Sequence, residues 1–203
     1  MHSNFSTYRF IVILTGIAAL LLSFTSTSLN DRIEQNKALD VKKNILKVAG
    51  IEYSELTIDQ IEKQYSQNIL EKVISDNNYY LCKIDDSFII PIEGKGLWGE
   101  VKGFIALQKD LNTIKDITFY SHQETPGLGG EIEKVNFTSK FIGELIFNNQ
   151  GEVAITIAKG DVKDEVIDNI VDGISGATLT TKGVNVFLKD DLTRYLKLLK
   201  GKG

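Results

Sequence analysis

The chain contains little cysteine, histidine or proline: its 203 residues include one cysteine, two histidines and two prolines. The single cysteine, Cys82, excludes a disulfide framework, a covalently attached haem and an iron–sulfur cluster held by this chain alone. His2 and His122 lie far apart in the sequence, which argues against a zinc or copper site built on imidazoles. The scarcity of proline and the lack of low-complexity tracts argue against disorder. The length predicts one folded domain with a short appendage.

An excess of positive charge is also missing, since 23 Lys and Arg residues face 27 Asp and Glu residues for a formal net charge of −4. Nucleic-acid-binding domains carry a basic surface, so no nucleic acid partner is predicted. The lone histidines and cysteine also provide no nucleophile–base pair of the kind that covalent catalysis uses. We therefore predict no catalytic residue and no metal site on this chain.

The N-terminal region contains a long run without charge, from Phe10 to Leu29. Twenty helical residues cover about 30 Å, the thickness of the hydrocarbon core of a bilayer. The two alternatives are a cleaved signal peptide, for which the segment lacks an A-x-A cleavage pattern, and a buried core helix, which is rarely apolar all round. We predict a membrane anchor that contacts lipid through residues 10–29.

The charges that flank this run predict its orientation. Arg9 and the terminal amine precede it without an acidic residue, whereas Asp31, Arg32 and Glu34 follow it. A short cationic tail tends to stay in the cytoplasm. The tail is therefore predicted to be cytoplasmic and the remainder of the chain to be translocated.

The rest of the chain is predicted to be an α+β domain with a mostly antiparallel sheet and flanking helices. Hydrophobic periodicity and turn signals place the elements. Helices are predicted over 31–49, over 57–73 behind a Thr57–Gln60 capping box, and over 179–199; strands are predicted over 79–84, 88–92, 103–108, 114–120, 141–147 and 153–158. The predicted divisions are 1–30 for the tail and anchor, 31–75 for a helical linker region, and 76–203 for the main domain.

Residues 94–99 form the first of three glycine-rich stretches and match the pattern G-x-G-x-x-G. A dinucleotide fingerprint must lie between a strand and a helix, but the residues after Gly99 have the pattern of another strand. We therefore reject a dinucleotide site and predict a loop that connects two strands. Trp98 in this loop is either a core residue or a flat apolar surface for a ring-shaped ligand.

The second and third stretches are residues 124–130 (ETPGLGG) and 172–178 (DGISGAT). Leu128 is isolated among glycines and is a candidate contact for a ligand, with an ordinary tight loop as the alternative. The third stretch leads directly into the last predicted helix, so Thr178 and Thr180 are candidate N-caps. A helix N-terminus with Lys182 nearby also suits a phosphate. Spacing alone leaves a helix cap and an anion site equally open.

Residues 172–180 resemble the covalent flavinylation motif of the FMN-binding domain family, D-G-x-S-G-A-T followed by L-T. Further segments share the resemblance: NKALD, ILKVAGI, IPIEGKGLWGEVKGFIALQKDLNTIK, ETPGLGGEI and SGATLTTKGV. Within that family the chain is most similar to the branch found in Na⁺-translocating NADH:quinone reductases (the Nqr complex). The nearest alternative is the branch found in the ferredoxin-linked Rnf complex.

The resemblance implies a role for each residue that matches the motif. Thr178 is implied to carry FMN through a phosphoester, which a flavin transferase forms after recognising Asp172 and Gly173 within the motif. The other implied cofactor-binding residues are Ser175, Gly176, Ala177, Leu179, Thr180, Lys182, Glu124, Thr125, Leu128, Gly129, Gly130 and Trp98. His122 is expected to be structural and Cys82 a core residue.

The implied function is electron relay within the Nqr complex, a Na⁺-pumping NADH:quinone oxidoreductase. The implied partners are the other subunits of that complex and the flavin transferase, and the implied location is the bacterial inner membrane with residues 76–203 as a periplasmic FMN-binding domain. Two alternatives remain: an Rnf-type electron carrier, and a membrane-anchored scaffold without a cofactor.

Overall fold

A computed structural model describes residues 4–158 and 169–201, so His2 and part of the predicted 76–203 domain lie outside the described residues. The chain divides into two compact units, residues 1–40 and 41–203. The elements, in chain order, are the helices α1 Asn4–Val48 and α2 Ile58–Asn68, the strands β1 Ile69–Ile74, β2 Asn77–Cys82, β3 Phe88–Lys95, β4 Glu100–Leu107 and β5 Ile114–Ser121, the short helix α3 Val135–Thr138, the strands β6 Thr156–Ile157 and β7 Ile170–Val171, and the helix α4 Thr178–Lys200. The domain boundaries predicted from the sequence stay a prediction.

Helix α1 is the one helix in the described part of the chain that is long and apolar enough to cross a membrane. None of the side chains in its most apolar window is buried, which does not fit a core helix. The hydroxyls of Thr15 and Thr25 donate to the carbonyls of Ile11 and Leu21, both at 2.9 Å, so the helix satisfies these polar groups itself. The helix predicted over 31–49 is confirmed through Val48, and it continues the preceding helix without a break as part of α1.

Strands β1 to β5 form one antiparallel sheet in sequential order, which confirms the predicted α+β fold class. The longest pairing joins β3 to β4, from Phe88 opposite Leu107 to Lys95 opposite Glu100. A second, two-stranded sheet pairs β6 with β7 in parallel. The glycine-rich stretch 94–99 thus connects two antiparallel strands, and the rejection of a dinucleotide fingerprint is confirmed.

Helix α4 covers the sheet with the apolar face predicted from its periodicity. Val184, Leu188 and Leu192 on this face are fully buried. The buried Asp191 carboxylate accepts the Glu93 N–H at 2.9 Å and thereby ties α4 to β3. Burial raises the pKa of Asp191 above its ordinary value, while the Glu93 N–H and the Arg194 guanidinium oppose that rise.

The helix approaches β3 closely because Gly183 has no side chain. A Cβ atom at this position would overlap the carbonyl oxygen of Lys95. We expect Gly183→Ala to lower the free energy of unfolding by about 1–3 kcal/mol, since the backbone of β3 must move to accept a methyl group. Val186→Ala on the exposed face of the same helix is the control and is expected to stay within about 0.5 kcal/mol of the parent chain. Urea unfolding of the detergent-solubilised chain measures both, and equal stability of the two variants would contradict the close contact.

The helix predicted over 57–73 is wrong in its C-terminal part, where a short apolar run suits more than one structure. The Thr57–Gln60 capping box is present, but α2 ends at Asn68 and residues Ile69–Ile74 form β1 instead of more helix. Strand β1 pairs with β2 along its whole length through a turn in which Ser75 and Asp76 have positive φ angles of 47° and 63°. The β-branched residues of this segment fit that hairpin, so strand pairing overrides the helical spacing.

The predicted strand over 141–147 is also wrong, and that over 153–158 is mostly wrong. Phe141 ends a 3₁₀ turn, Gly143 has a φ of +88°, and only isolated bridges at Leu145 and Phe147 connect this region to its neighbours. Of residues 153–158, only Thr156–Ile157 form a strand. The left-handed glycine interrupts the extended backbone that a strand requires.

Candidate functional site

The three glycine-rich stretches, distant in sequence, line one pocket. It lies where the β3–β4 loop, the loop after β5 and the N-terminus of α4 meet. Its lining residues are Leu97, Trp98, Glu124, Thr125, Leu128, Gly129, Gly176, Ala177, Thr178, Leu179 and Thr180. The fold therefore brings together most of the residues that the sequence singled out.

Glu124, in the second stretch, connects the first stretch to helix α4 and is 5% exposed. One carboxylate oxygen, Oε1, accepts the backbone N–H groups of Leu97 at 2.9 Å and Trp98 at 3.0 Å. The other, Oε2, accepts the hydroxyl of Thr180 at 2.5 Å. Charged acceptors form the stronger hydrogen bonds in proteins, so one buried carboxylate holds the β3–β4 loop and α4 in place.

Two glycines allow the Glu124 carboxylate to reach these partners. A Cβ atom at Gly96 would lie 2.5 Å from Oε1, and one at Gly129 would lie 2.7 Å from Oε2. Both separations are well inside van der Waals contact, so any side chain at either position would displace the carboxylate. The packing around Glu124 thus requires a glycine at these two positions, one in each loop.

His122 supports the same loop, as expected for a structural residue. Its Nδ1 atom accepts the Glu124 N–H at 3.2 Å, and its Nε2 atom lies 3.3 Å from the carboxylate of Glu133. A hydrogen bond from Lys134 holds the pKa of Glu133 below its ordinary value, and His122 contributes more weakly in the same direction. The imidazole therefore connects the backbone of the loop, at Glu124, to the surface carboxylate of Glu133.

Helix α4 begins at Thr178 without a side-chain cap. The N-cap residue is Ala177, which makes no side-chain hydrogen bond, so neither Thr178 nor Thr180 caps the helix. Thr178 is exposed at the first helical position, while Thr180 is buried and donates to Glu124. The backbone N–H groups of an uncapped first turn and the helix dipole favour an anion at this point.

Four apolar side chains at the pocket remain unusually exposed. They are Leu97, Trp98, Leu128 and Leu179, and their exposed fractions are 42%, 66%, 44% and 60%. We call this set the apolar shelf. Leu128 reaches Gly176, which has a φ of +77° and whose Cβ atom would lie 2.8 Å from the Leu128 Cδ2 atom.

The pocket has a volume of about 130 Å³. Pockets that enclose a small ligand measure roughly 300–1,000 Å³, so this one can hold only part of such a ligand. The remainder would lie across the apolar shelf. A flat ring system on the shelf and a phosphate at the uncapped helix N-terminus together match the two halves of FMN.

Other residues implied by the motif lie near the pocket without lining it. Gly130 is buried, and its N–H donates to the Thr125 carbonyl at 2.9 Å. Ser175 is exposed, Asp172 and Gly173 follow β7, and Lys182 lines a second cavity. Leu97 lines the pocket, and Thr181 lines the same second cavity as Lys182. The sequence analysis missed both residues, although the position of Leu97 beside Trp98 was an available signal. Within residues 4–158 and 169–201, no three His, Cys, Asp or Glu side chains are placed to hold a metal ion.

Comparisons with known proteins identify the family of this chain. The model of the FMN-binding domain family matches residues 96–193, which contain all three glycine-rich stretches except for Gly94 and Lys95. The C subunit of the Na(+)-translocating NADH-quinone reductase from Haemophilus ducreyi is 31% identical over 88% of this chain and 86% of its own length. The corresponding protein from Neisseria meningitidis is 42% identical over 61% of this chain and 51% of its own length.

A solved structure extends the similarity to three dimensions. The crystal structure of the Na(+)-translocating NADH-quinone reductase C subunit from Parabacteroides distasonis superposes with a TM-score of 0.72 and 31% identity. The match covers 84% of this chain and 96% of that one. The chain therefore belongs to the family of Na⁺-translocating NADH-quinone reductase C subunits and contains its FMN-binding domain.

Proposed function

We propose that this chain is an electron-carrier subunit of a Na⁺-pumping NADH:quinone oxidoreductase, with FMN joined by a phosphoester to Thr178. The main support is the position of the Thr178 hydroxyl, exposed at an uncapped helix N-terminus and beside an apolar shelf. These features provide an acceptor oxygen, an electropositive site for the phosphate and a surface for the ring. Bound FMN supplies reversible uptake and release of electrons.

The chain's own residues would prepare the attachment. Thr178 would supply the acceptor oxygen: it would give its proton to a base of the flavin transferase and take the FMN phosphoryl group from FAD, with AMP as the leaving group. The flavin transferase supplies the catalytic groups and recognises Asp172 and Gly173 on the approach to α4. The first-turn N–H groups of α4 then face the negative charge of the ester.

The membrane arrangement belongs to the same proposal. Helix α1 anchors the chain in the bacterial inner membrane through residues 10–29, with the N-terminus in the cytoplasm and the FMN-binding domain in the periplasm. A single membrane-spanning helix has no interior for an ion pathway, so Na⁺ crosses the membrane through the partner subunits. This subunit performs neither NADH oxidation nor quinone reduction; it passes electrons between partners.

The relatives favour this function over the two alternatives. The two relatives and the solved structure are named as subunits of NADH-quinone reductases, which supports an Nqr-type rather than an Rnf-type carrier. A scaffold without a cofactor would need neither the exposed Thr178 hydroxyl at an uncapped helix N-terminus nor the exposed apolar shelf. Absorbance separates these classes, because a scaffold is colourless and a flavoprotein absorbs blue light.

The direct test is the intact mass of the full chain after co-expression with its flavin transferase. We expect an increase that equals one FMN ester, and peptide mapping should place it on Thr178. The same chain expressed without the transferase is the control and should have its unmodified mass. An adduct on another residue, or none when the transferase modifies a known substrate, would refute the assignment.

A further inference from the structure

A second cavity adjoins Thr178 on the other side from the apolar shelf. It has a volume of about 230 Å³ and is lined by Thr178, Thr181, Lys182 and Asn185 from α4 and by three apolar residues. The four α4 residues follow the spacing i, i+3, i+4 and i+7, which places them on one face of the helix. We call this space the Thr181 cavity. Thr178 borders both it and the pocket beside the shelf.

The Thr181 hydroxyl has no hydrogen-bond partner among the residues that the structure describes. The side chain is 5% exposed, so water does not replace the missing partner freely. The carbonyl of Ala177 accepts the Thr181 N–H at 2.9 Å and receives no second hydrogen bond from the Thr181 hydroxyl. A buried hydroxyl without a partner is costly, and it needs an acceptor within the cavity.

The charges around the Thr181 cavity indicate what kind of group would accept a hydrogen bond from the Thr181 hydroxyl. The cavity lies at the uncapped N-terminus of α4, Lys182 contributes an ammonium group, and none of the lining residues that the structure describes is acidic. The Asn185 side chain is already occupied, because its Oδ1 accepts the Ile157 N–H at 2.7 Å and its Nδ2 donates to the Ile157 carbonyl at 2.9 Å. Asn185 therefore forms a rigid wall, and the cavity favours an anion.

We infer that the Thr181 cavity is the subsite for the phosphoryl group of the flavin ester, an assignment that rests on the proposed function. Residues at i and i+3 on a helix are neighbours, so a phosphoryl oxygen bonded to phosphorus on the Thr178 oxygen lies within reach of the Thr181 hydroxyl. Thr181 donates the hydrogen bond and Lys182 supplies the opposite charge. Thr180, a candidate phosphate contact from the sequence, already donates to Glu124.

This assignment gives Thr178 a defined geometry. The ester leaves the threonine between two spaces, with the phosphoryl group directed toward Thr181 and Lys182 in the Thr181 cavity and the ring directed onto the apolar shelf. The hydrogen bond from Thr181 and the ester bond then hold the phosphoryl group at two points. The ring is thereby positioned by the helix as well as by its own contacts.

The first test uses ³¹P NMR on the flavinylated full chain, once intact mass has established the ester on Thr178. Thr181→Val removes the hydroxyl at nearly constant shape, and Thr181→Ser retains it. We expect the phosphodiester resonance to shift in Thr181→Val and to return toward the parent position in Thr181→Ser. Thr193→Val is the control, because this exposed hydroxyl donates to the Lys189 carbonyl at 2.7 Å on a distant part of α4. An unchanged resonance in Thr181→Val would overturn the assignment.

The second test uses the chain without flavin and inorganic phosphate as the probe. Phosphate binding should weaken about tenfold or more in Thr181→Val, because a hydrogen bond to a charged group is lost, while the melting temperature stays near that of the parent chain. Equal affinity in both chains would contradict the subsite. Absence of the ester in the mass measurement refutes the proposed function. A normal ester, with a ³¹P resonance and a phosphate affinity that Thr181→Val does not change, refutes only the assignment of the Thr181 cavity as the phosphoryl subsite.

Discussion

Thr178→Val is expected to remove all covalent flavin and to leave the domain folded. Valine has nearly the shape of threonine but offers no oxygen for a phosphoester. Thr178 is exposed and does not cap α4, so its hydroxyl contributes little to the native state. The free energy of unfolding should change by no more than about 0.5 kcal/mol. Intact mass, visible absorbance and thermal unfolding of the chain co-expressed with its transferase measure the three quantities.

Thr180→Val is the matched control, because it removes a neighbouring hydroxyl with a different role. The Thr180 hydroxyl donates to the buried Glu124 carboxylate, so its loss should destabilise the domain by about 1–3 kcal/mol. The ester on Thr178 should still form in the folded fraction. Covalent flavin in Thr178→Val, or its complete loss in a folded Thr180→Val chain, would transfer the attachment role to another residue.

Glu124→Leu is expected to be the most destabilising single change at the site. Leucine leaves the N–H groups of Leu97 and Trp98 and the hydroxyl of Thr180 without their acceptor in a buried space. Each unsatisfied donor costs about 1–3 kcal/mol, although the loops can relax to recover part of that loss. We expect the free energy of unfolding to fall by at least about 2 kcal/mol and the yield of flavinylated chain to fall with it.

Glu124→Gln keeps the shape of this side chain but removes its charge, so it tests which of the two the loops require. The amide oxygen can still accept the two backbone N–H groups, and the Thr180 hydroxyl can rotate to accept from the amide nitrogen. The loss of stability should therefore be smaller than in Glu124→Leu, and flavinylation should persist. Urea unfolding of the two variants checks the order, and a Glu124→Leu chain as stable as the parent would show that Glu124 does not hold the loops together.

Local patterns predicted the elements in which propensity and packing agree. The strands from Tyr79 to Tyr120 and the amphipathic face of α4 follow from alternation and helical spacing. The α2–β1 junction and residues 141–147 could not be assigned in this way. A short apolar run at Ile69 suits a helix or a strand equally, and only pairing with β2 decides between them.

At the site, too, some residues could be predicted from local sequence and others could not. The glycine-rich sequence and the position of Thr178 before a helix could be recognised directly, and the motif led to the FMN-binding domain family. The sequence also suggested Glu124 and Thr180 as contacts for a ligand, yet these two side chains bond to each other. Thr181 could not be predicted as a site residue, because a threonine inside a helix has no distinguishing sequence signal. Its hydroxyl is buried without a partner among the described residues, and only the structure shows this.

The sequence by itself determined the apolar N-terminal helix, the mostly antiparallel sheet, the closing amphipathic helix and the family. These depend on properties of neighbouring residues along the chain: apolar length, periodicity, turn chemistry and a contiguous motif. Only the tertiary structure decided that Glu124 joins its own loop to the β3–β4 loop and to α4, and that Thr178 borders both the pocket beside the apolar shelf and the Thr181 cavity. Hydrogen bonding and burial between residues more than 50 positions apart depend on how the strands and α4 pack, which no local pattern encodes.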